Sequence, residues 1–482
     1  MKYIRFTILS LCVINSISCT QEECINEQNN TASFISSRSQ GDGVYESLGY
    51  GYDITENYLG EHSIKAPVIN VEAFVQDHEE RFDNLFIGII EQRTYAGETA
   101  ETFLKQLIKD SNFTNSVAAM GKEDTEKGFF SGTITTGFKS NTLYSYSSKY
   151  SFAKAEVLKK HKQYLLNTDV ETLQQYLSAS FLEDLNKYPA EKIVEIYGTH
   201  VLTDITVGGK YSAYYRSAII EEENRSEKTK TVNAGVKYNM SKIGLDTNGN
   251  WSSTEITETN KKNSSWECHI TSQGGTTIAT NITISPNNPP TYTIDLGKWS
   301  ETVDDTHSVL IDVNWNKTYP IYDLISDYNK KAELKAAVEK YIESKRIDIL
   351  PIVPLYRYWN GIDHFYQINY EANEIPGGWK YEGIACYVLS QPVNNSIPLH
   401  QYLYEWYHYY APEYLPNGID GKWKYETIAC YVYNTPKEFT VPLYQYSNGV
   451  WNHFYTLEYK PYGIDNWLQY ERINCYVYPI DF

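Results

Sequence analysis

The chain has 482 residues, more than one ordinary core accommodates, so two or three domains are expected. Apolar residues make up 41% and charged residues 21%, a globular balance. Acids outnumber bases by 60 to 42, and the formal charge of −18 argues against a nucleic-acid partner. Tyrosine is in excess, with 45 copies against 3 methionines.

Residues 1–18 read as a signal peptide. Lys2 and Arg5 form its positive end, and the apolar stretch FTILSLCVI is too short to span a bilayer as a helix. Its removal takes two of the 42 bases and no acid, leaving −20. SISC, ending at Cys19, resembles the lipobox of bacterial lipoproteins, which implies lipidation of Cys19. The following TQEE is similar to the acidic tether that sends Bacteroidales lipoproteins to the cell surface. The expected location is therefore an outer-membrane or cell-surface lipoprotein, with plain secretion as the alternative. Residues 19–40 form the tether. Cys386, Cys430 and Cys475 recur at matching places in a repeat, and three equivalent cysteines cannot pair off, so buried free thiols are expected. No zinc spacing occurs, and no metal or cofactor is expected.

After the tether, SLGYGYDITENYLG reads as extended, and RFDNLFIGIIEQ (residues 81–92) as a buried strand. ETFLKQLIKDSNF has Phe103, Leu104, Leu107 and Ile108 at helical spacing. TDVETLQQYLSASFLEDL opens with a capping box, Thr168 and Glu171, and keeps Leu173, Leu177 and Leu185 on one side of a predicted helix. Pro189 suits the start of a short helix that Gly198 ends. A strand with the pair Gly208-Gly209 follows, then a polar region over 221–265, then a strand over 266–277 with its own pair, Gly274-Gly275. A helix with Leu334, Val338, Tyr341 and Ile342 inward closes the domain at 41–350, and Pro351 and Pro354 mark the next boundary.

Residues 351–482 repeat three times at about 44 residues. VPLYRYWNGIDHFYQ, IPLHQYLYEWYHYYA and VPLYQYSNGVWNHFYT open the copies, and WKYEGIACYVL, WKYETIACYVY and WLQYERINCYVY close them, aligning Trp379, Trp423 and Trp467. Four short strands per copy would give a β-trefoil-like domain. It holds 23 of the 45 tyrosines, most of them needed by a threefold core. Trp359, Tyr404 and Trp451 lie in the variable parts and are the candidate ligand-binding residues.

Tyr197-Gly198-Thr199-His200, followed after Val201 and six residues by Gly208-Gly209, resembles the signature of the membrane attack complex/perforin family, with Val201 where the family has an aromatic. LGYGYDITENY, the glycine pair in SQGGT and the closing WNKTYPIYDLI are similar to Bacteroidales members. The resemblance spans about residues 40–346. It implies an α+β fold: the bent four-stranded antiparallel sheet shared with the cholesterol-dependent cytolysins, flanked by two helical clusters that unwind into membrane-entering β-hairpins. The clusters would be residues 94–142 and 219–265, and both glycine pairs would belong to the bend.

The residues themselves are compatible with that switch. A membrane-spanning strand alternates apolar and polar over about 9–11 residues. Val232, Ala234, Val236, Tyr238 and Met240 alternate with Asn233, Gly235, Lys237, Asn239 and Ser241, and Phe130, Ile134 and Phe138 share one face of a similar stretch. Ordinary amphipathic packing is the other reading.

No hydrolase, metalloprotease, P-loop or dinucleotide motif occurs, so no catalytic residue is assigned and an enzyme is not expected. The expected function is a pore-forming, antibacterial toxin, monomeric in solution and a homo-oligomeric ring on the target-cell membrane. Its C-terminal domain would choose a surface glycan or an outer-membrane protein receptor. A non-lytic surface lipoprotein, acting as adhesin or glycan-binding module, is the alternative.

Overall fold

The structure, a computed structural model, describes residues 35–36, 43–110 except 57, 129–130, 150–219, 225–246, 266–277, 281–347 except 292, and 350–480 except 372–374 and 450. In chain order, β1 (Tyr50–Tyr52) and β2 (Ile64–Pro67) precede β3 (Phe82–Phe86) and β4 (Ile90–Gly97). Helix α1 (Ala100–Asp110) leads towards β5 (Ser151–Leu166), α2 (Ala190–Tyr197), β6 (His200–Val201) and β7 (Asp204–Ser217). Then come α3 (Arg225–Lys242), β8 (Trp266–Gln273), β9 (Asn281–Ile284), α4 (Leu296–Glu301), β10 (Val309–Val313) and α5 (Tyr328–Ser344).

Strands β5 and β7 run antiparallel for their whole length and form the spine of a seven-stranded sheet. Their flanking strands change at one level. β5 pairs with β4 up to Lys159 and with β3 from Lys162, while β7 pairs with β10 up to Gly208 and with β8 from Lys210. At that level β5 bulges at His161 and β10 shifts register between Leu310 and Asp312. A bulge bends a strand and sharpens its twist, so two bulges on opposite sides of β7 put the bend there. Each half of the sheet is thus four strands wide, with β9 added outside β8.

Alternation assigns the faces. Ala153, Ala155, Val157, Tyr211, Ala213, Tyr215, Cys268 and Ile270 meet Val232, Val236 and Met240 of α3 in one core. On the opposite face α1 lays Phe103, Leu104 and Leu107 against Tyr95, Phe152 and Tyr214. Beyond the bend, a larger core joins β1, α2, β6 and the inward residues of α5: Leu334, Val338 and Ile342.

Several expectations are corrected. The 81–92 strand is two strands, and Leu85, Phe86, Ile89 and Ile90 are exposed. β5, the longest strand among the described residues, lies where the sequence predicts no element, although Ala153, Ala155 and Val157 alternate with Lys154, Glu156 and Leu158. The predicted 168–185 helix is broken: Asp169, not Thr168, caps a four-residue turn, and Ser178 caps a second helix, Ala179–Lys187. A carboxylate accepting the Thr172 N–H displaces the threonine from its expected role. Residues 232–240, which alternate in sequence inside the expected second helical cluster, lie in helix α3 here.

Three copies of a three-stranded unit follow: β11 (Ile352–Trp359), β12 (His364–Gln367) and β13 (Lys380–Leu389); β14 (Ile397–Tyr404), β15 (Tyr407–Ala411) and β16 (Lys424–Val432); β17 (Val441–Ser447), β18 (His453–Thr456) and β19 (Gln469–Val477). The expected fourth strand is reduced to one bridge per copy, Ile375–Trp379, Ile419–Trp423 and Ile464–Leu468. Those bridges correct the alignment, because Leu468, not Trp467, matches Trp379 and Trp423. Leu468 is buried, whereas Trp467 is 46% exposed.

The copies meet at Tyr366, Tyr410 and Tyr455, all buried. Each hydroxyl donates to the backbone carbonyl of the tyrosine in another copy and accepts that same residue's N–H, at 2.8–3.3 Å, closing a ring of six hydrogen bonds. Cys386, Cys430 and Cys475 are free and buried in the same core. The ring explains why this tyrosine recurs: buried phenol and backbone groups must be satisfied, and each satisfies the next.

Candidate functional site

The signature Tyr197 to His200 forms a tight crossing. α2 ends at Gly198, whose φ of 76° favours glycine, and a Cβ there would lie 2.6 Å from the Tyr52 carbonyl carbon. Thr199 donates its hydroxyl to the Tyr52 carbonyl at 3.1 Å and accepts the Ile54 N–H at 3.2 Å. The fully buried His200 places Nδ1 3.0 Å from the Thr199 hydroxyl, and Tyr197 donates to Asp184 at 2.9 Å. The Thr199 contacts tie the end of α2 to β1, and the Tyr197 bond ties α2 to the helix Ala179–Lys187. They are structural, and they hold the start of β7.

The two glycine pairs, 66 residues apart in sequence, converge on the bend. A Cβ on Gly208 would lie 2.0 Å from the Lys159 carbonyl oxygen, and one on Gly274 would lie 2.3 Å from the carbonyl of Gly208. Gly274 and Gly275 both have positive φ, 67° and 65°, and a Cβ on Gly209 would meet Trp299 and Val303, both at 2.7 Å. Trp299 donates Nε1–H to the Gly274 carbonyl at 3.3 Å, packs on Tyr211 at 4.7 Å and fills the space that the missing side chains of Gly209 and Gly275 leave. Both pairs are legible in the sequence. Trp299 of α4 is not, since nothing in a lone tryptophan tells which backbone it will cover.

A charged layer, also missed, crosses the sheet face opposite α3. Lys154 and Glu156 are buried and paired at 2.7 Å, with Lys154 over the rings of Tyr58 and Tyr214. Arg93 bridges Glu91 and Asp312, both at 2.6 Å. Burial opposes the Glu156 charge, but Lys154 and then Lys210 hold its carboxyl below the usual range. Burial pulls Lys210 down to about 8, against the attraction of Glu156. The signal was present as charges alternating in β5, but alternation alone cannot tell a buried layer from a solvated one.

Within α3, Val232, Val236 and Met240 are spaced four apart and fully buried, while Ala234 and Tyr238 are half-buried. The segment therefore satisfies a helical period now while carrying a period of two. Gly235 lets α3 approach β7, for a Cβ there would lie 2.4 Å from the Tyr215 ring. Of the first cluster's candidates, Phe130 lies in a two-residue strand paired with Arg346. Ile134, Phe138, Cys19 and the signal peptide lie outside the described residues.

The MAC/Perforin domain description matches residues 30–350, two thirds of the chain. The chain belongs to the MAC/Perforin family. That family is one of pore-forming proteins that oligomerise on target membranes. A domain of unknown function (DUF5648) matches residues 327–413 and 354–478. Among solved structures, a MAC/Perforin-domain protein of Bacteroides thetaiotaomicron VPI-5482 is 18% identical, with 76% of this chain and 71% of that chain covered at a TM-score of 0.48. GNIP1Aa from Chromobacterium piscinae is 14% identical, with 88% and 82% covered at 0.47. No curated protein sequence matches.

Outside the MAC/Perforin domain, two of the three ligand candidates come together. Tyr404 and Trp451, from neighbouring copies, lie 4.6 Å apart, with the Lys422 ammonium 4.7 Å from the Trp451 ring centre. Trp359 stacks instead on His364 of its own copy at 4.4 Å. More exposed aromatics were missed: Trp406 at 66% and Tyr462 at 92%. Among the described residues, no helix is long and apolar enough to cross a membrane, which says nothing of strands.

Proposed function

We propose that this protein is an exported antibacterial pore-former whose two helical clusters become membrane β-hairpins when the sheet opens at its bend. The observation carrying the proposal is the double periodicity of 232–240, helical and packed against the sheet in this state, yet alternating as a lipid-facing strand requires. Four convergent glycines supply the place where β5 and β7 flex. The C-terminal domain is read as a β-trefoil-like module that selects the target, its aromatic surface suiting a glycan. Export as a lipoprotein through Cys19 fits the leader. The protein is read as non-enzymatic: Glu382, Glu426 and Glu471, one per copy, bind Arg357, Gln401 and Gln445 and hold strands together.

The test is dye release from target-derived vesicles by the purified chain lacking residues 1–19, with electron microscopy of the same vesicles. Release with rings is expected. Binding without release assigns the protein to the adhesin alternative, which the exposed aromatic surface would serve equally well.

A further inference from the structure

β4 and β10 flank the β5–β7 spine on opposite sides, and they also lie on opposite sides of the bend. Arg93 of β4 faces Glu156 of β5, which faces Ser212 of β7, whereas Asp312 of β10 faces Thr206 of β7. In a flat sheet the rise from Thr206 to Ser212 and the strand spacings from β4 to β10 would hold the two backbones roughly 24 Å apart. Yet the Arg93 guanidinium meets the Asp312 carboxylate at 2.6 Å. The sheet therefore folds back over the face opposite α3. Tyr58, packed in the core beyond the bend, crosses the same face and lies under the Lys154 ammonium at 5.3 Å.

Two more charges complete the crossing. Lys160, paired with Gly208 at the bend itself, reaches Glu91 at 2.7 Å and Asp312 at 3.5 Å, and Arg93 holds Glu91 at 2.6 Å. Burial opposes the Glu91 charge, but hydrogen bonds from Arg93 and then Lys160 hold its carboxyl below the usual range. The four side chains keep between 16% and 33% of their surface exposed. Parting them breaks charge-assisted hydrogen bonds yet returns the charges to water, so no buried charge is stranded. The Lys154–Glu156 pair differs on both counts: it is buried, and both members belong to β5, so bending leaves it intact.

We propose that Glu91, Arg93, Lys160 and Asp312 form a latch that keeps the sheet bent, with Asp312 as its detachable end. Glu91, Arg93 and Lys160 all sit on β4 and β5, which pair directly, so they stay together when the sheet straightens. Asp312 comes from the other side of the spine and from beyond the bend, so straightening carries it away from both cations. Its own place is fixed, because Oδ1 accepts the Val313 N–H at 3.1 Å. A hydrogen-bonded ion pair is lost over a short separation, which gives opening a threshold. That such opening serves membrane entry rests on the pore-forming reading; the latch itself rests on the geometry.

The test follows backbone amide exchange by mass spectrometry over residues 87–93 and 157–163 of the exported chain, with dye release read in parallel. Asp312→Asn keeps the shape and the Val313 acceptor and removes only the charge. It is expected to speed exchange at the bend about tenfold, as loss of a charge-assisted hydrogen bond implies, and by more than any change in urea unfolding explains. Arg93→Gln should act in the same way. The double variant should fall short of the product of the two effects, because both remove one bridge. Lys331→Met, which breaks the Asp323 pair at 2.9 Å away from the bend, should leave this exchange unchanged. Unchanged exchange in Asp312→Asn, a rise matched by global unfolding, or fully multiplicative effects overturn the latch whether or not dye is released. Faster exchange at the bend with no dye release from parent or variants upholds the latch and overturns the pore reading instead.

Discussion

Gly208 and Gly209 are adjacent, yet a side chain at each would meet a different kind of neighbour. At Gly208 the obstacle is the Lys159 carbonyl oxygen, which cannot move without opening the ladder between the two central strands. At Gly209 it is side-chain atoms of Trp299 and Val303 rather than backbone, so the ladder can stay closed. Replacing both glycines by valine, the hinge test that sequence alone suggests, therefore confounds folding with bending. Gly208→Ala is expected to lower stability by about 1–3 kcal/mol, the usual cost of overpacking. Gly209→Ala should cost less in urea unfolding and act mainly on dye release. Equal unfolding midpoints for the two variants would contradict this account. Lys210 offers a second residue-scale test. Burial holds its ammonium to about 8, below the ordinary 10.5, so folding with that group charged costs about 3 kcal/mol. The cost applies in full below pH 8. Between 8 and 10.5 the unfolded chain holds more protons than the folded one, so stability rises with pH, and above that range the cost is gone. Lys210→Met should accordingly stabilise the protein by about 2–3 kcal/mol at neutral pH, with the gain shrinking towards pH 10.5. A gain independent of pH would show that Lys210 is solvated.

At the scale of elements, α3 shows what the sequence can and cannot say. The alternation of residues 232–240 is plain in the sequence, but helix or strand is decided by Tyr215 and its neighbours on β7, which α3 covers through Gly235. β5 was unreadable for a related reason: its lysines and glutamate look solvated until Lys154 is seen paired with Glu156 beneath Tyr58 and Tyr214. The signature, both glycine pairs and the last helix were legible because each depends on local chemistry. The break between β3 and β4 was not, since RFDNLFIGIIEQ looks like any buried strand until a bulge in its partner interrupts the pairing. α3 also dictates which substitution tests membrane entry. Val236 is fully buried, so Val236→Asp would disturb the soluble fold before any membrane is met. Tyr238 shares its face in an extended strand but is half-buried in the helix. Tyr238→Asp should leave the soluble protein folded and abolish dye release, because an acid on the lipid face costs up to about 2 kcal/mol and every subunit of a ring repeats it. Lys237→Asp, on the lumen face, should keep release and shift the ion selectivity of single channels. If both variants release dye like the parent, this segment does not enter lipid.

For the whole molecule, the question is whether target choice resides in residues 350–482. The tyrosine ring and the surrounding core draw all their members from the three copies, so the ring is satisfied without the preceding chain. Expressed alone, the domain is expected to be soluble and monomeric, and to bind target cells without permeabilising them. The corrected alignment divides its aromatic residues by role. Trp379 and Trp423 are buried among rings of their own and the next copy, so alanine at either should lower stability by about 3–5 kcal/mol. Trp467, which sequence register groups with them, points outward. Trp467→Ala and Trp406→Ala should leave the unfolding midpoint unchanged and weaken cell binding, and Trp451→Ala, half-buried against Tyr404, should weaken binding too. The decisive comparison is between Trp467→Ala and Trp423→Ala in the isolated domain, measured by thermal unfolding and by flow cytometry on target cells. Loss of stability in both would mean that Trp467 belongs to the core. Unchanged binding by the three surface variants would move recognition to the MAC/Perforin domain, and a chain ending at residue 350 should then bind as tightly as the full one.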